Sequence, residues 1–277
     1  MKFQYLGTAA AEGIPAIFCQ CEICEKSKKA GGKNIRTRSQ AIINDDLLID
    51  FNADSYMHFL NNNIDTAKIK YCLITHTHPD HLYPNDLNMK IPGFAHLKEN
   101  FPLALYGSEI VGKVIEDELK IAVEQNAVSF TQVKESEPFL AGGYKITPLK
   151  AIHDPKSDPL IYMIESQGKT ILYAHDTGLF HESVWEYFKK VSPKFDFVSL
   201  DCTQAADEVM GYDTHMKLND NLKIKAKMLE LGYANESTIF VSNHFSHNGK
   251  SADYDTFKEI AEKHGVLTSY DGMTLEI

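Results

Sequence analysis

The stretch THTHPDH, residues 75–81, places three histidines and an aspartate directly after the apolar run Tyr71–Ile74. In an extended segment alternate side chains point the same way, so His76 and His78 can share one ion. We predict that the chain turns into a short helix after Pro79 and directs Asp80 and His81 at a second ion. Imidazole and carboxylate suit Zn, Mn, Fe or Ni. A catalytic dyad or incidental histidines in a polar loop account for this density of ligands less well than metal does.

Length and composition are those of a globular protein with a sizeable core. The chain has 277 residues, 43% of them hydrophobic and 24% charged. The formal net charge of -10 argues against nucleic acid as a partner, although bound cations could still attract a small anion. No run approaches the roughly 20 apolar residues that span a bilayer, and the N-terminal stretch lacks a secretion signal's apolar core. We therefore expect a cytoplasmic protein without a membrane partner.

Strand-like and helix-like segments follow one another without a linker, a repeat or a domain boundary. The predicted strands are Lys2–Leu6, Gln40–Asn44, Leu47–Phe51, Tyr71–Thr75, Leu103–Tyr106, Tyr144–Ile152, Leu160–Glu165, Thr170–Ala174, Phe195–Leu200, Ser237–Ser242, Gly265–Ser269 and Met273–Ile277. The predicted helices are Ser108–Leu119, Glu182–Lys190, Lys217–Leu231 and Ala252–His264. This order predicts one layered α/β domain over residues 1–277, with sheet buried under helices.

Polar residues also follow other predicted strands. His153, Asp176 and His244 each lie just past a strand end, where loops on a rigid scaffold present functional side chains. If one sheet edge gathers these loops, the three residues converge on the histidine cluster. His175 is different, because alternation in an extended segment would point it away from Asp176 and into packing.

The motif His-x-His-x-Asp-His resembles the signature of the metallo-β-lactamase superfamily, and further matches follow the chain order of that family. The resemblance implies a four-layer αββα sandwich with a two-metal site at one edge of its paired sheets. The implied ligands are His76, His78 and His153 for one metal and Asp80, His81 and His244 for the other, with Asp176 bridging the pair. The resemblance makes Asp50 a structural residue near the site.

Three cysteines form a separate group. Cys19, Cys21 and Cys24 are too clustered for a disulfide framework, and thiolates at this spacing can bind one face of a tetrahedral ion. His247 is the natural fourth ligand, since it follows His244 by three residues. Reduced, idle thiols at a helix start are the alternative.

A Cys-x-Cys-x-x-Cys loop before the histidine motif, with His-x-x-His near the end, resembles the phosphoribosyl cyclic phosphate phosphodiesterases of the carbon–phosphorus lyase pathway. Further shared pieces are Leu6–Thr8, Leu200–Thr203 and Tyr270–Met273. The resemblance implies structural zinc in a loop at about residues 13–30, bound by Cys19, Cys21, Cys24 and His247. It also implies catalytic roles for His215 and Asp80. Ala9–Ala11 and residues 93–125 depart from the pattern, and we expect both segments to shape the substrate entrance.

The expected reaction is hydrolysis of a small, cyclic phosphodiester by a hydroxide that bridges two divalent metals. His215 would position the phosphate or protonate the leaving oxygen. Alternatives that stay open are a lactonase, a thioesterase, a tRNA 3′-end nuclease, or a non-hydrolytic protein of cofactor biosynthesis or metal binding. A nuclease would need a basic arm, and the sequence contains no such insertion. The sequence also leaves open a homodimer.

Overall fold

The computed structural model describes residues 1–207 and 213–277, which form strands, helices and short 3-10 segments. The strands are β1 (Lys2–Gly7), β2 (Gln40–Ile43), β3 (Leu47–Ile49), β4 (Tyr71–Leu73), β5 (Leu103–Gly107), β6 (Val128–Gln132), β7 (Phe139–Ala141), β8 (Tyr144–Lys150), β9 (Leu160–Ser166), β10 (Lys169–Ala174), β11 (Phe197–Asp201), β12 (Ile239–Asn243), β13 (Leu267–Thr268) and β14 (Thr274–Glu276). The helices are α1 (Glu22–Ala30), α2 (Ser55–Asn61), α3 (Glu109–Glu118), α4 (Lys120–Glu124), α5 (Glu182–Val191), α6 (Leu218–Glu230) and α7 (Tyr254–Ala261). Within these described parts, no helix has the length and apolar character to cross a membrane.

The strands build two seven-stranded sheets within the described residues. One has the order β14-β1-β2-β3-β4-β5-β6, and the other has the order β13-β12-β11-β10-β9-β8-β7. Strands β3 to β6 run parallel in the first sheet, and β10 to β13 run parallel in the second. Ligands bind at the carboxyl ends of such parallel strands, because the loops that follow them gather at one edge. The topology therefore marks one edge of the sandwich for function.

Alternation along the strands divides the apolar residues between three layers of core. In β3, Leu47 and Ile49 pack between the sheets, whereas Leu48 packs under the helices of the first sheet. In β10, Tyr173 packs between the sheets and Leu172 under the helices of the second. Helices thus cover both outer faces of the paired sheets, which confirms the predicted four-layer αββα sandwich.

Each strand and helix predicted from periodicity overlaps an observed one, and five further elements were missed: α1, α2, α4, β6 and β7. The predicted zinc loop at residues 13–30 is only in part a loop, because α1 begins at Glu22 and contains Cys24. The short helix predicted directly after Pro79 does not form there, and a 3-10 helix begins only at Pro84. The amides of His81 and Leu82 both donate to His78 O in a single turn, and Leu82 then pairs with Phe51 in a β-bridge that extends the chain.

A buried polar network ties the N-terminal segment to the last turn of the chain. The Arg36 guanidinium donates to Thr8 Oγ1 at 3.0 Å and to Ser269 O at 2.8 Å. Asp271 accepts from the Thr37 amide at 2.7 Å and from Thr8 Oγ1 at 2.6 Å. Burial raises the pKa of Asp271 to about 6, although these hydrogen bonds act in the opposite direction.

Asp271 should make stability depend on pH in an unusual direction. The folded protein holds this proton more tightly than the unfolded chain, whose aspartate pKa is ~3.9. The carboxyl therefore contributes most to stability below about pH 4, and that contribution is lost as the pH rises through about 6. We expect the unfolding free energy of wild type minus that of Asp271→Asn to fall by about 2 kcal/mol from pH 4 to pH 7.

Urea unfolding at several pH values measures this difference. Asp117→Asn is the matched control, because Asp117 is an exposed carboxylate on α3 and its removal should leave the pH profile unchanged. A pH-independent difference between wild type and Asp271→Asn would show that Asp271 has an ordinary pKa.

Candidate metal centre

Three site residues that follow strands have left-handed backbone conformations. Asp50, Asp176 and His244 come after β3, β10 and β12, with φ values of 64°, 48° and 65°. This region is uncommon for residues other than glycine, and it ends the alternation of the strand. Such strain persists where the surroundings fix the backbone, and the Asp50 amide donates to Leu73 O at 2.7 Å. Each of these side chains is thereby directed to the sheet edge.

The first group of donor atoms comes from three histidines. His153 Nε2 lies 3.1 Å from His78 Nδ1, and the His76 ring centroid lies 4.6 Å from that of His78 and 5.1 Å from that of His153. All three can direct a nitrogen at one point, with these nitrogens within 4.8 Å of one another. The structure therefore brings together the three residues that the sequence predicts for one metal.

The second group adjoins the first and contains Asp80, His81, Asp176 and His244. The Asp176 carboxylate lies at its centre, with Oδ2 at 2.6 Å from His81 Nε2 and Oδ1 at 3.3 Å from His244 Nε2. Asp176 Oδ2 also lies 3.4 Å from His76 Nε2 in the first group. One carboxylate thus reaches both sets of donors, as a bridging ligand would.

These donors are suited to divalent metal. Among residues 1–207 and 213–277, the buried Nε2 atoms of His76, His81 and His244 have no partner in hydrogen-bonding geometry. Leaving a buried polar atom without a partner costs free energy, and a bound ion would recover that cost here. Burial also lowers the pKa of His76 well below its ordinary value, which favours the neutral imidazole that a metal needs.

Other polar residues orient the donors. His81 Nδ1 lies 2.7 Å from Asp50 Oδ2, and Asp50 accepts from the Thr75 amide at 2.8 Å. His244 Nδ1 lies 2.9 Å from Thr203 Oγ1. Hydrogen bonds at Nδ1 fix the ring and leave the Nε2 lone pair for a ligand. Asp50 therefore holds the position next to the donors that the family resemblance implies.

Asp201 is a buried residue of the site that sequence reasoning missed. Its carboxylate accepts from the Asp176 amide at 3.0 Å and from the Met216 amide at 2.9 Å. It also lies 3.1 Å from His215 Nδ1 and 3.5 Å from His244 Nδ1. Its place at the end of β11, on the same edge as the other strand ends, was the available signal.

His215 lies on the pocket side of the donors, in the loop before α6. Burial lowers its pKa, but the Asp201 carboxylate and its hydrogen bond outweigh that effect and raise the pKa to about 9. Together with Asp176, Asp201 and His244, His215 also forms a further group that could hold a metal. Because Asp201 already accepts from the three backbone amides of Asp176, Thr203 and Met216, we assign it to orientation and not to metal.

A cavity of about 720 Å³ opens above the donors, and we call it the entrance pocket. Ala10 and Ala11 line it, in agreement with the expectation for the first departing segment. The expectation for residues 93–125 is wrong, since none of the described residues in that segment lines the pocket. Val111 and Ile115 of α3 bind that segment to the outer core of the first sheet, beside β5 and β6.

His175 packs behind the site. Its Nε2 lies 2.7 Å from Ser199 Oγ, and its Nδ1 lies 3.2 Å from the Asn243 amide nitrogen. Its ring is 6.3 Å from that of His244. The side chain therefore supports a predicted ligand from the core side, as strand alternation predicts.

The cysteine group lies against the late histidine. His247 Nδ1 is 3.4 Å from Cys19 Sγ and 3.5 Å from Cys21 Sγ, and all four donors, including Cys24, lie within 4.8 Å of one another. A tetrahedral zinc with bonds of about 2.0–2.3 Å separates its ligands by roughly 3.5 Å. The geometry agrees with such an ion joining the N-terminal loop to the loop after β12.

Comparison with known proteins identifies the family. A model of the beta-lactamase superfamily domain matches residues 47–231, and the chain therefore belongs to this superfamily. No curated protein matches the sequence. The fold is similar to that of a diphosphatase from the PhnP family, with 20% identity, a TM-score of 0.74 and coverage of 100% of this chain and 98% of the other.

Two further solved structures extend the comparison. Zinc-bound PqqB from Methylobacterium extorquens is 18% identical, with a TM-score of 0.72 and coverage of 100% of both chains. The short form of human tRNase Z is 14% identical, with a TM-score of 0.65 and coverage of 100% of this chain and 99% of the other. Family membership and the His/Asp cluster together support a metal-dependent hydrolase.

Gly178 should be essential for the loop that carries His215. A methyl group on Gly178 would overlap the carbonyl oxygen of Asp213, two residues before His215. We expect Gly178→Ala to destabilise the protein by about 1–3 kcal/mol, the usual effect of overpacking, in urea unfolding. Gly143→Ala is the matched control, because open space surrounds that position. Equal unfolding midpoints for the two variants would contradict the close contact.

Proposed function

We propose that the protein hydrolyses a small phosphodiester, with a cyclic diester as the expected form, at a centre of two divalent metals. His76, His78 and His153 would hold one ion, Asp80, His81 and His244 the other, and Asp176 both. When bound, such a pair supplies a water-derived nucleophile near neutral pH and neutralises charge on the phosphoryl oxygens. The observation that carries the proposal is the position of the Asp176 carboxylate within reach of both donor groups.

Other residues of this chain orient the metal ligands and supply the proton for the leaving group. Asp50 and Thr203 orient His81 and His244 through their Nδ1 atoms. Asp201 holds His215 through Nδ1 and leaves Nε2 for the pocket side. As water adds to phosphorus and the ester P–O bond breaks, His215 Nε2–H donates its proton to the leaving oxygen. A positioned acid of this kind typically contributes ~10²–10⁴-fold to the rate.

Phosphoryl chemistry agrees with the occurrence of a diphosphatase and a tRNase among proteins of similar fold. It also agrees with a cationic His215 beside the donors, since an imidazolium attracts a phosphate oxygen more strongly than a neutral carbonyl. The decisive panel comprises bis(p-nitrophenyl) phosphate, nucleoside 2′,3′-cyclic phosphates and lactones, assayed with the metal-replete protein. Lactone turnover without phosphodiester turnover would reject the proposal.

His215→Ala tests the role of the acid. We expect turnover of nucleoside 2′,3′-cyclic phosphates to fall by about 10²–10⁴-fold, because their basic alkoxide leaving group loses its proton donor. The metal content, measured by mass spectrometry, should stay at the wild-type value. His264→Ala, at an exposed histidine beyond α7, is the control and should retain the wild-type turnover and metal content. A lower metal content in His215→Ala would instead make His215 a ligand.

We propose further that Cys19, Cys21, Cys24 and His247 bind one structural zinc. Cys21→Ser should remove about one zinc per chain and lower stability, because zinc binding to such a site is coupled to folding. Metal analysis and urea unfolding measure the two effects. Cys72→Ser is the control, since Cys72 is buried in β4 and its loss should affect packing without changing the zinc content. An unchanged zinc content in Cys21→Ser would exclude this ligand set.

A further inference from the structure

The wall of the entrance pocket remote from the metal donors is polar but not basic. None of its described lining residues is lysine or arginine. The nearby Arg38 donates to Ala11 O at 2.9 Å and pairs with Asp54 at 2.8 Å, so its charge is already balanced. A second phosphate on the substrate would find no free cation among the described residues of this wall.

The wall instead presents groups that recognise hydroxyls. The amide nitrogen of Asn248 lies 3.4 Å from Glu12 Oε1 and 3.1 Å from Ser246 Oγ, which joins the three side chains into one polar strip. Glu12 is exposed at the rim of the pocket, where its side chain is 41% accessible. A substrate hydroxyl can donate to the Glu12 carboxylate, which has a further oxygen beyond the one that faces Asn248. A phosphate can only accept and is repelled by the carboxylate.

The charge on the floor of the pocket is also limited. Asp80 and Asp176 among the ligands, with the buried Asp50 and Asp201 beside them, place four carboxylates around the donors, and Asp154 adds a fifth at 3.4 Å from His78 Nε2. Two divalent ions would match this charge without a large excess. The floor therefore attracts one phosphodiester anion, aided by His215, and offers little long-range attraction for another.

From these observations we infer that the substrate is a phosphodiester whose remaining part is an uncharged, hydroxyl-bearing group, such as a sugar or polyol without a second phosphate. Glu12 is the residue that selects against further negative charge. The inference rests on the proposed function, since it names the substrate class of the same site.

The test compares adenosine 2′,3′-cyclic phosphate with the same compound phosphorylated at the 5′-hydroxyl, using the metal-replete protein. We expect kcat/KM to be about tenfold or more higher for the unphosphorylated compound, because like charges placed together oppose binding. In Glu12→Lys this ratio should fall at least about tenfold, since the repulsion becomes an attraction. Glu116→Lys makes the same change of charge on the exposed face of α3 and should keep the wild-type ratio.

Binding provides a readout that does not depend on turnover. In calorimetry, adenosine 3′-phosphate should bind wild type more tightly than adenosine 3′,5′-bisphosphate, and Glu12→Lys should reverse the order. Equal or better use of the 5′-phosphorylated substrate by wild type, or an unchanged ratio in Glu12→Lys, would overturn the inference and leave the phosphodiesterase activity standing. Absence of turnover for both compounds and for bis(p-nitrophenyl) phosphate would overturn the proposed function and this inference together.

Discussion

The site depends on one constraint: a carboxylate and three imidazole nitrogens are buried together without enough hydrogen bonds to satisfy them. Asp176 lies among His76, His81 and His244, whose Nε2 atoms have no partner in hydrogen-bonding geometry within the described residues. Burial of such groups costs free energy that a cation at their centre can recover. Metal binding should therefore stabilise the folded protein as well as support its chemistry.

The sandwich brings these buried donors together at the ends of its strands. Both sheets direct parallel strands to the same edge, and left-handed conformations at Asp50, Asp176 and His244 direct the side chains across that edge. The backbone strain is confined to these single residues, whereas the contacts that stabilise them come from distant parts of the chain. The Asp201 carboxylate accepts a hydrogen bond from the Asp176 amide and contacts His215 and His244. One buried carboxylate thus links the backbone of Asp176, the proposed bridging ligand, to His215, the proposed acid.

Prediction from sequence succeeded where the same physical feature, such as the alternation of side chains along a strand, determines both the local sequence pattern and the packing. Strands β3 and β10 alternate between two cores, so their apolar residues recur at the period of a strand and were found. Strand β7 lies at the edge of its sheet, and its exposed Leu140 leaves no run of buried apolar residues to mark a strand. Helix α1 is rich in lysine and glutamate, and the spacing of the cysteines at its start predicts a loop instead. The turn after Pro79 was missed because the bridge from Leu82 to Phe51 joins distant segments.

The sequence by itself determined the inventory of metal donors, because metal chemistry depends on residue type and THTHPDH concentrates that chemistry within seven positions. It also determined the layered fold, through the alternation of its strands. Only the tertiary structure decided which carboxylates orient the donors, that Glu12 faces the entrance pocket and that residues 93–125 do not. Those outcomes depend on contacts between residues far apart in the chain, and local periodicity contains no information about which distant segments will meet.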